Sequence, residues 1–448
     1  MNLSLLEIAR ILAITIPTAA SAIVTGYSID SREVRPGDLF IALKGDQVDG
    51  HDFVGQAFAA GAIAALVERE IPSVDIHQFV VPDSLAALQT LATAARTKWG
   101  RIVVGITGSA GKTSTKENVS ALLAIALPTS KTVGNLNNHI GLPLSVLRID
   151  DKSQAAVLEM GMNHSGEIAR LCAIAKPDIG VVTNVGHAHI ENFTGIEGIA
   201  AAKRELIESL PATGVAVLNA DDRRVAAFAN SFSGKSVTFG LGEAATTRAT
   251  NISYTLDEAD FQIEGQAFHS KVPGRIGVLN ITAGVAVARL WGVPLRQLSD
   301  AARQIEPPKM RTEKISRNGI TIWNDCYNSS PDAAKAMLDL LRDTATGRRI
   351  AVLGEMRELG QWAEALHAEL GLYSVESGFS VLLGIRGAAR FTIESAMKAG
   401  LSARAACFFD TPEQAGEYLK TIALPGDTIL FKGSRGTRVE LALERFLA

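Results

Sequence analysis

The sequence predicts an α/β protein of three domains built on parallel, doubly wound sheets. Three observations predict it. The chain has 448 residues, which at roughly 150 residues per domain suggests about three domains. Short β-branched runs alternate with longer Ala/Leu-rich runs, the pattern of strands joined by crossover helices. A glycine-rich loop carrying a lysine lies between one such strand and one such helix, where a phosphate-binding loop belongs.

From the N-terminus, residues 3–14 read as a short amphipathic helix. The apolar stretch 11–25 has small residues at Ala19-Ala20-Ser21-Ala22. Glu7 and Arg10 cancel the basic start that a signal peptide needs, and Pro17 with several Thr and Ser leaves the stretch too short and polar to span a bilayer. A cytoplasmic, unprocessed chain without membrane insertion is expected. Strands are expected at 101–107, 155–160, 179–183, 215–219, 349–354, 380–383, 405–409 and 428–432, and a helix at 116–125. Residues 236–273, rich in Thr and in alternation, are expected to form an antiparallel addition. Boundaries near Lys98-Trp99-Gly100 and Pro307-Pro308 divide the chain into 1–98, 99–308 and 309–448. These are a small α/β domain, a central P-loop mononucleotide-binding parallel sheet and a C-terminal Rossmann-like doubly wound sheet.

Composition narrows the function. Apolar residues make up 47% and charged residues 20%, with 44 basic against 47 acidic side chains and a net charge of -3. That excludes a basic nucleic-acid coat and a polyacidic tail, and no nucleic-acid partner is expected. Cys172, Cys326 and Cys407 are far apart, which speaks against a disulfide framework or zinc ribbon and for a reducing compartment.

The sharpest chemical feature is Gly105-Ile-Thr107-Gly108-Ser109-Ala110-Gly111-Lys112-Thr113. Glycines let backbone N–H groups curl around phosphate oxygens at a helix N-terminus, where the dipole also favours an anion. Lys112 can reach terminal phosphates and the Thr113 hydroxyl can ligate Mg2+. The strict pattern has glycine where Ile106 stands, so Gly108 takes over the turn. Glu159 ends a strand, the position of a second Mg2+ ligand or a water-orienting acid, and equally of an ordinary loop acid. His187 and His189 follow a strand as metal ligands or as plain loop residues. Lys203 lies in a helix expected to be capped by Thr194 and Glu197; a lone helical lysine is ordinarily solvated. Asn135, Asn137 and Asn138 beside His139 suit a polar ligand or Asx-turns. Asp30-Ser31-Arg32, Lys44-Gly45-Asp46, Asp49-Gly50-His51, Arg311 and Asp325-Cys-Tyr327-Asn328 mix donors and acceptors in loops. Lys432-Gly-Ser434-Arg435 follows the last strand, at the crevice of an open sheet.

Together these motifs resemble the Mur ligase family, in its MurF type, over nearly the whole chain. The phosphate loop and the His-to-Lys spacing belong to Mur ligases at large. Asp30-Ser31-Arg32, Gly37-Asp38-Leu-Phe40-Ile-Ala-Leu-Lys44-Gly, Asp49-Gly-His51, Asn135-Leu-Asn137-Asn138, Tyr327-Asn328 before Pro331, Leu353-Gly-Glu-Met356, Glu358-Leu-Gly360 and Lys432-Gly-Ser434-Arg435 are the type-specific signs. The resemblance implies a first domain for the UDP end of the substrate, a middle domain for ATP and a third for the incoming amine. It implies an ATP-dependent ligase that joins D-alanyl-D-alanine to UDP-N-acetylmuramoyl-tripeptide through an acyl phosphate, in peptidoglycan synthesis, and a monomer. By the same resemblance Lys112 would hold ATP phosphates. Thr113 and Glu159 would ligate Mg2+, His189 would hold a second Mg2+, and Lys203 would be carbamylated. Asn280 would contact adenine, Arg311 the γ-phosphate and Asp325 the ribose. Ser31 and Arg32 would lie at the uridine site, with Lys44, Asp49, His51, Asn135, Asn138, Tyr327 and Asn328 in the substrate-binding set. The chain departs from the family at Ile276 (usually His), Met310 (Gly), Asn324 (acidic), Ser330 (Asn) and His139 (often acidic). These departures leave open a relative that joins a different amine and acid; a nucleotide-binding protein without ligase activity is the third reading.

Overall fold

The computed structural model describes residues 1–15, 22–45, 47–307 and 309–448. Four sheets organise them. Leu3–Ser4 pairs antiparallel with Ile23–Val24. Gly26–Ser28, Asp38–Ile41, Ala64–Val67 and His77–Val80 form a four-stranded parallel sheet in that order. A nine-stranded sheet covers the middle of the chain, and a six-stranded sheet its last third.

In the nine-stranded sheet Ile102–Thr107 lies between Ala155–Glu159 and Ile179–Val182, parallel to both. The order continues through Val215–Asn219 and Lys235–Gly240, still parallel, while Thr129–Lys131 forms the other edge. Every residue of Ala155–Glu159 and Ile179–Val182 is buried. Helices on both faces require this, which is why these strands read as continuous apolar runs rather than alternating ones. The helix Ser84–Trp99 packs on Gly141–Leu147 and Glu167–Ala175. Its Arg96 donates to the carbonyls of Ala175 (2.6 Å) and Lys176 (2.8 Å), fastening the helix to the middle sheet.

In the six-stranded sheet the order is Glu313–Arg317, Ile320–Asp325, Thr428–Lys432, Arg349–Gly354, Val381–Ile385 and Ala406–Phe409. Only the first pair is antiparallel. Asp325 and Lys432 end adjacent strands in register, and the loop after Gly354 opens beside them.

Several expected elements shift. The first helix is Leu5–Ile11, because Leu3–Ser4 goes into strand pairing and Ser4 forms a capping box with Glu7. The helix expected at 116–125 is Lys112–Leu123 and starts inside the phosphate loop, at Gly111 with φ 79°. The antiparallel addition begins at Thr247–Tyr254, since Lys235–Gly240 still runs parallel to its neighbour. Thr194 and Glu197 do not cap the helix Ile196–Glu208: its first turn has Gly195 at the N-cap and no side-chain acceptor, and Glu197 pairs with Arg224 at 2.7 Å. Among the described residues no helix is long and apolar enough to cross a membrane. The motif residues at 19–21, Asp46 and Pro308 lie outside the described residues.

Candidate active site

The site forms where three neighbouring parallel strands deliver their carboxyl ends, the usual ligand crevice of an open α/β sheet. Ile102–Thr107 leads into the phosphate loop, Ala155–Glu159 ends on its carboxylate, and Ile179–Val182 leads into the loop bearing His187 and His189.

The phosphate loop is braced from its side. Gly108 is required by close approach, because a Cβ there would meet Thr183 Oγ1 at 1.9 Å. The Ala110 N–H donates to Asn184 Oδ1 (2.8 Å), and Asn184 Nδ2 donates back to the Ala110 carbonyl (3.0 Å). The Ser109 N–H donates to the Asn184 carbonyl at 3.1 Å. Ser109 Oγ donates to the Gly186 carbonyl (2.9 Å) and accepts from the Gly186 N–H (2.8 Å). Thr107 Oγ1 donates to the Met160 carbonyl at 2.9 Å. Part of the loop's polar inventory is used inside the protein. The N–H groups of Ser109 and Ala110 and the hydroxyls of Thr107 and Ser109 are taken by the protein. The N–H groups at the helix start, Lys112 and Thr113, have no intrahelical acceptor and stay available to an anion. Lys112 Nζ rests on the Gly108 carbonyl at 2.7 Å.

Around Lys112 the charges converge. Enclosure of its ammonium pushes its pKa below the ordinary lysine value; Glu159 and Glu358 oppose that shift and Arg311 adds to it. Lys203 is 1% exposed. Burial, and then the charge of Lys112, hold its pKa far below that of a free lysine. An unpaired buried ammonium costs several kcal/mol, so such a group neutralises instead. The solvated helix position is therefore overturned: Lys203 faces inward beside the phosphate loop.

Glu159 is 2% exposed. Its Oε1 accepts from Asn137 Nδ2 at 2.8 Å and its N–H donates to Thr132 Oγ1 at 3.1 Å. Its Oε2 is buried without a partner, the state of an oxygen left for a cation. His189 adopts a left-handed φ of 64°. Its Nδ1 lies 2.5 Å from Glu358 Oε2, off the line of a hydrogen bond. Two buried atoms with no aligned partner, Glu159 Oε2 and His189 Nδ1, fit a hard divalent cation, and burial of the Lys203 amine favours the neutral form that carbamylation requires.

The six-stranded sheet closes the other side. The Arg311 guanidinium stacks 4.0 Å above the Tyr327 ring. Asp325 accepts from the Thr312 N–H at 2.9 Å and forms an ion pair with Lys432, which also donates to the Asn328 carbonyl at 3.0 Å. Asn328 Oδ1 accepts from the Ser329 N–H at 2.9 Å. Asp332 accepts from the His187 N–H at 2.7 Å, with His187 Nδ1 3.1 Å away. The Asp332 hydrogen bond raises the His187 pKa against its burial. Burial pushes Asp332 upward, but its bonds to His187 outweigh that and hold it below the usual carboxylate range. Asn280 is 5% exposed, accepts from Thr115 Oγ1 at 3.0 Å, and leaves Nδ2 buried without an acceptor. A heteroaromatic ring nitrogen would satisfy that donor.

The charges of Glu159, Arg311 and Glu358 act on Lys112 and that of Lys112 on Lys203, His189 lies against Glu358, and Asn280 is tied to the phosphate-loop helix through Thr115. The residues expected at the uridine site, Ser31 and Arg32, and the substrate-binding candidates Lys44, Asp49, His51, Asn135 and Asn138 make their bonds elsewhere: among the described residues, none of them bonds to the phosphate loop. Ser31 Oγ donates to Gln56 Oε1 at 3.0 Å. Arg32 pairs with Asp30 through two bonds, at 2.9 and 2.6 Å, with most of its side chain exposed. Lys44 bridges to Asp49 in the backbone. His51 is buried, its Nε2 accepting from the Glu68 N–H (2.8 Å) and its Nδ1 sitting 2.6 Å from Asp49, so both ring nitrogens brace the loop. Asn138 Oδ1 accepts from the N–H groups of Ile140 and Gly141 (3.2 and 2.8 Å) in the turn before the helix Gly141–Leu147, while Asn135 is exposed. Sequence reading missed Asn184 and Asp332, gave Glu358 no role, and did not single out Asn137 among the three asparagines. Only their place in or beside quoted motifs signalled them.

Comparison with known proteins bears on this site. Residues 23–96 match the model of the Mur ligase family, catalytic domain, 106–288 that of the Mur ligase middle domain, and 310–435 that of the Mur ligase glutamate ligase domain. The UDP-N-acetylmuramoyl-tripeptide--D-alanyl-D-alanine ligase of Bacillus subtilis (strain 168) is 35% identical over 430 residues, covering 95% of this chain and 93% of the relative. The ligase of the same name from Synechocystis is 34% identical over 95% and 92%. A crystal structure of MurF from Acinetobacter baumannii superposes with a TM-score of 0.90 at 30% identity, covering 100% of this chain and 99% of that one. MurF ligase from Thermotoga maritima in complex with ADP gives 0.81 at 32% identity, over 94% and 97%. With matched segments running from residue 23 to 435 and full-length relatives at this identity, the chain belongs to the Mur ligase family.

Proposed function

We propose that this chain is an ATP-dependent amide ligase that joins D-alanyl-D-alanine to UDP-N-acetylmuramoyl-tripeptide in peptidoglycan precursor synthesis. The observation that carries the reading is the buried cluster of Lys112, Glu159, His189 and Lys203 at the strand ends, facing Arg311 and Glu358 of the six-stranded sheet. Full-length relatives and structures of that ligase support the substrate pair.

A free carboxylate is a poor acyl donor. Its oxygen therefore attacks the γ-phosphorus of ATP, the bond to the bridging oxygen breaks, and ADP leaves. Lys112 and Arg311 draw the γ-phosphoryl charge away from the attacking oxygen. The amine of D-alanyl-D-alanine then attacks the acyl carbon, loses its proton, and phosphate departs. Asn280 would hold the adenine and Asp325 the ribose. Thr113 and Glu159 would hold one Mg2+, and His189 with a carbamylated Lys203 a second; when bound, these ions neutralise phosphate charge. Burial of Lys203 favours the neutral form of its amine, the form that adds carbon dioxide. Residues 1–98 would take the UDP end, 99–308 ATP and 309–448 the amine, in a monomeric cytoplasmic enzyme. Loops from the middle and last sheets that meet at His187–Asp332 and His189–Glu358 would shield the acyl phosphate from water.

Isotope transfer tests this chemistry. With the tripeptide's reacting carboxylate labelled with 18O, the released phosphate is expected to carry one labelled oxygen. Unlabelled phosphate alongside amide product would rule out the acyl phosphate.

A further inference from the structure

Of the three asparagines in the segment 135–138, only Asn137 reaches the reaction centre. Its Nδ2 donates to Glu159 Oε1 at 2.8 Å. Only the amide nitrogen can face a carboxylate there, since the amide oxygen has no proton to offer. A glutamate terminal torsion is broad, so an unheld carboxylate would turn its plane freely and aim no oxygen steadily at one point. Asn137 removes that freedom: Oε1 is engaged and Oε2 is left buried without a partner.

The residue is held through its backbone. The Asn137 main-chain carbonyl accepts from the Gly161 N–H at 2.8 Å. A Cβ on Gly161 would stand 2.9 Å from Asn137 Oδ1, so a glycine is needed for the amide to lie across that backbone. The start of the same loop is fixed by the phosphate-loop helix. The buried Lys116 donates from Nζ to the Thr132 carbonyl at 2.8 Å, and Thr132 Oγ1 accepts from the Glu159 N–H. Loop, helix and strand end are one unit that leaves a single side-chain oxygen of Glu159, Oε2, buried and without a partner.

We propose that Asn137 is a positioning residue that presents Glu159 Oε2 to the cation accompanying the nucleotide. The inference rests on Glu159 holding a metal, as in the functional reading above. Partners of this kind around metal ligands tune affinity by roughly 10–100-fold.

The test uses Mn2+ as the probe, with ADP bound to the full-length protein, and reads bound Mn2+ by electron paramagnetic resonance. Asn137→Leu keeps the approximate size and removes the donor. It is expected to weaken Mn2+ binding in the ADP complex by about 10-fold or more, while metal-free ADP affinity stays near wild type. Asn137→Ala, checked by its melting temperature, gives the same comparison if the leucine does not fit. Mn2+ affinity equal to wild type in a folded variant overturns the role of Asn137. Failure of the wild-type ADP complex to bind Mn2+ overturns the metal role of Glu159 as well, so the two failures are distinct.

Discussion

Asn184 lies across the phosphate loop and pairs both ends of its carboxamide with Ala110, accepting from the N–H at 2.8 Å and donating to the carbonyl at 3.0 Å. An amide can do this because it carries a donor and an acceptor side by side. The loop is therefore held in shape by a neighbouring strand's loop, and its conformation does not wait for phosphate.

Asn184→Ala is expected to leave the Ala110 N–H unpaired and its carbonyl held by Thr183 Oγ1 alone (2.8 Å), and so to loosen the loop. A lost pair of buried hydrogen bonds costs about 1–3 kcal/mol, so ADP affinity should fall about tenfold or more, measured by calorimetry. Unchanged affinity would show that the loop keeps its shape without the brace.

Lys112→Ala removes the one ammonium that rests on the loop's own carbonyl at Gly108. Loss of a single preorganised charge-stabilising donor costs roughly 10²–10³ in turnover. The measurement is phosphate release under saturating substrates. Turnover within about tenfold of wild type would remove Lys112 from the phosphoryl-transfer step.

Lys203 is predicted to take up carbon dioxide, because burial and the charge of Lys112 both favour its neutral amine. Protein equilibrated with 13C-bicarbonate should show a carbamate carbon signal that Lys203→Ala lacks. The variant should be slow and partly restored by small carboxylates. No signal and no rescue by any short acid would leave Lys203 as a buried neutral amine only.

Much of this was legible in the sequence. The strands Val215–Asn219, Arg349–Gly354 and Thr428–Lys432 run over the residues expected for them, because strands buried on both faces are continuous apolar runs. The phosphate loop was legible because its chemistry fixes residue types at fixed spacing. What stayed hidden was direction. Nothing local distinguishes a helical lysine that faces solvent from Lys203, which a neighbouring sheet buries. Nor does an asparagine-rich loop say which amide turns inward; Asn138 holds the turn before a helix while Asn137 reaches Glu159. The capping box expected at Thr194 and Glu197 failed for a similar reason, as Glu197 is drawn to Arg224 on the next helix. Contacts between sheets, such as Asp332 with His187, have no signature in either segment alone.

That last contact makes its own prediction. Asp332 receives the His187 backbone, and Gly186 has no room for a Cβ, which would approach the carboxylate to 2.4 Å. Asp332→Ala should weaken docking of the helix Pro331–Thr344 on the loop that braces Ser109. Charged hydrogen bonds contribute about 1.5–3 kcal/mol when buried, and less at this partly open site. The expected signature is ADP affinity near wild type, with a turnover several-fold lower and more phosphate released without amide. Unaltered coupling of phosphate to amide would mean the contact does not help shield the intermediate.

The central claim is the reaction itself. The most direct measurement is phosphate release with ATP, Mg2+, UDP-N-acetylmuramoyl-tripeptide and D-alanyl-D-alanine, each omitted in turn, with the product weighed by mass spectrometry. The account predicts that sustained release needs all four and that the UDP-N-acetylmuramoyl-pentapeptide accumulates in step with phosphate. ADP binding without release from the complete mixture would contradict it, and would direct attention to Ile276, Met310, Asn324 and Ser330, where the chain departs from its family.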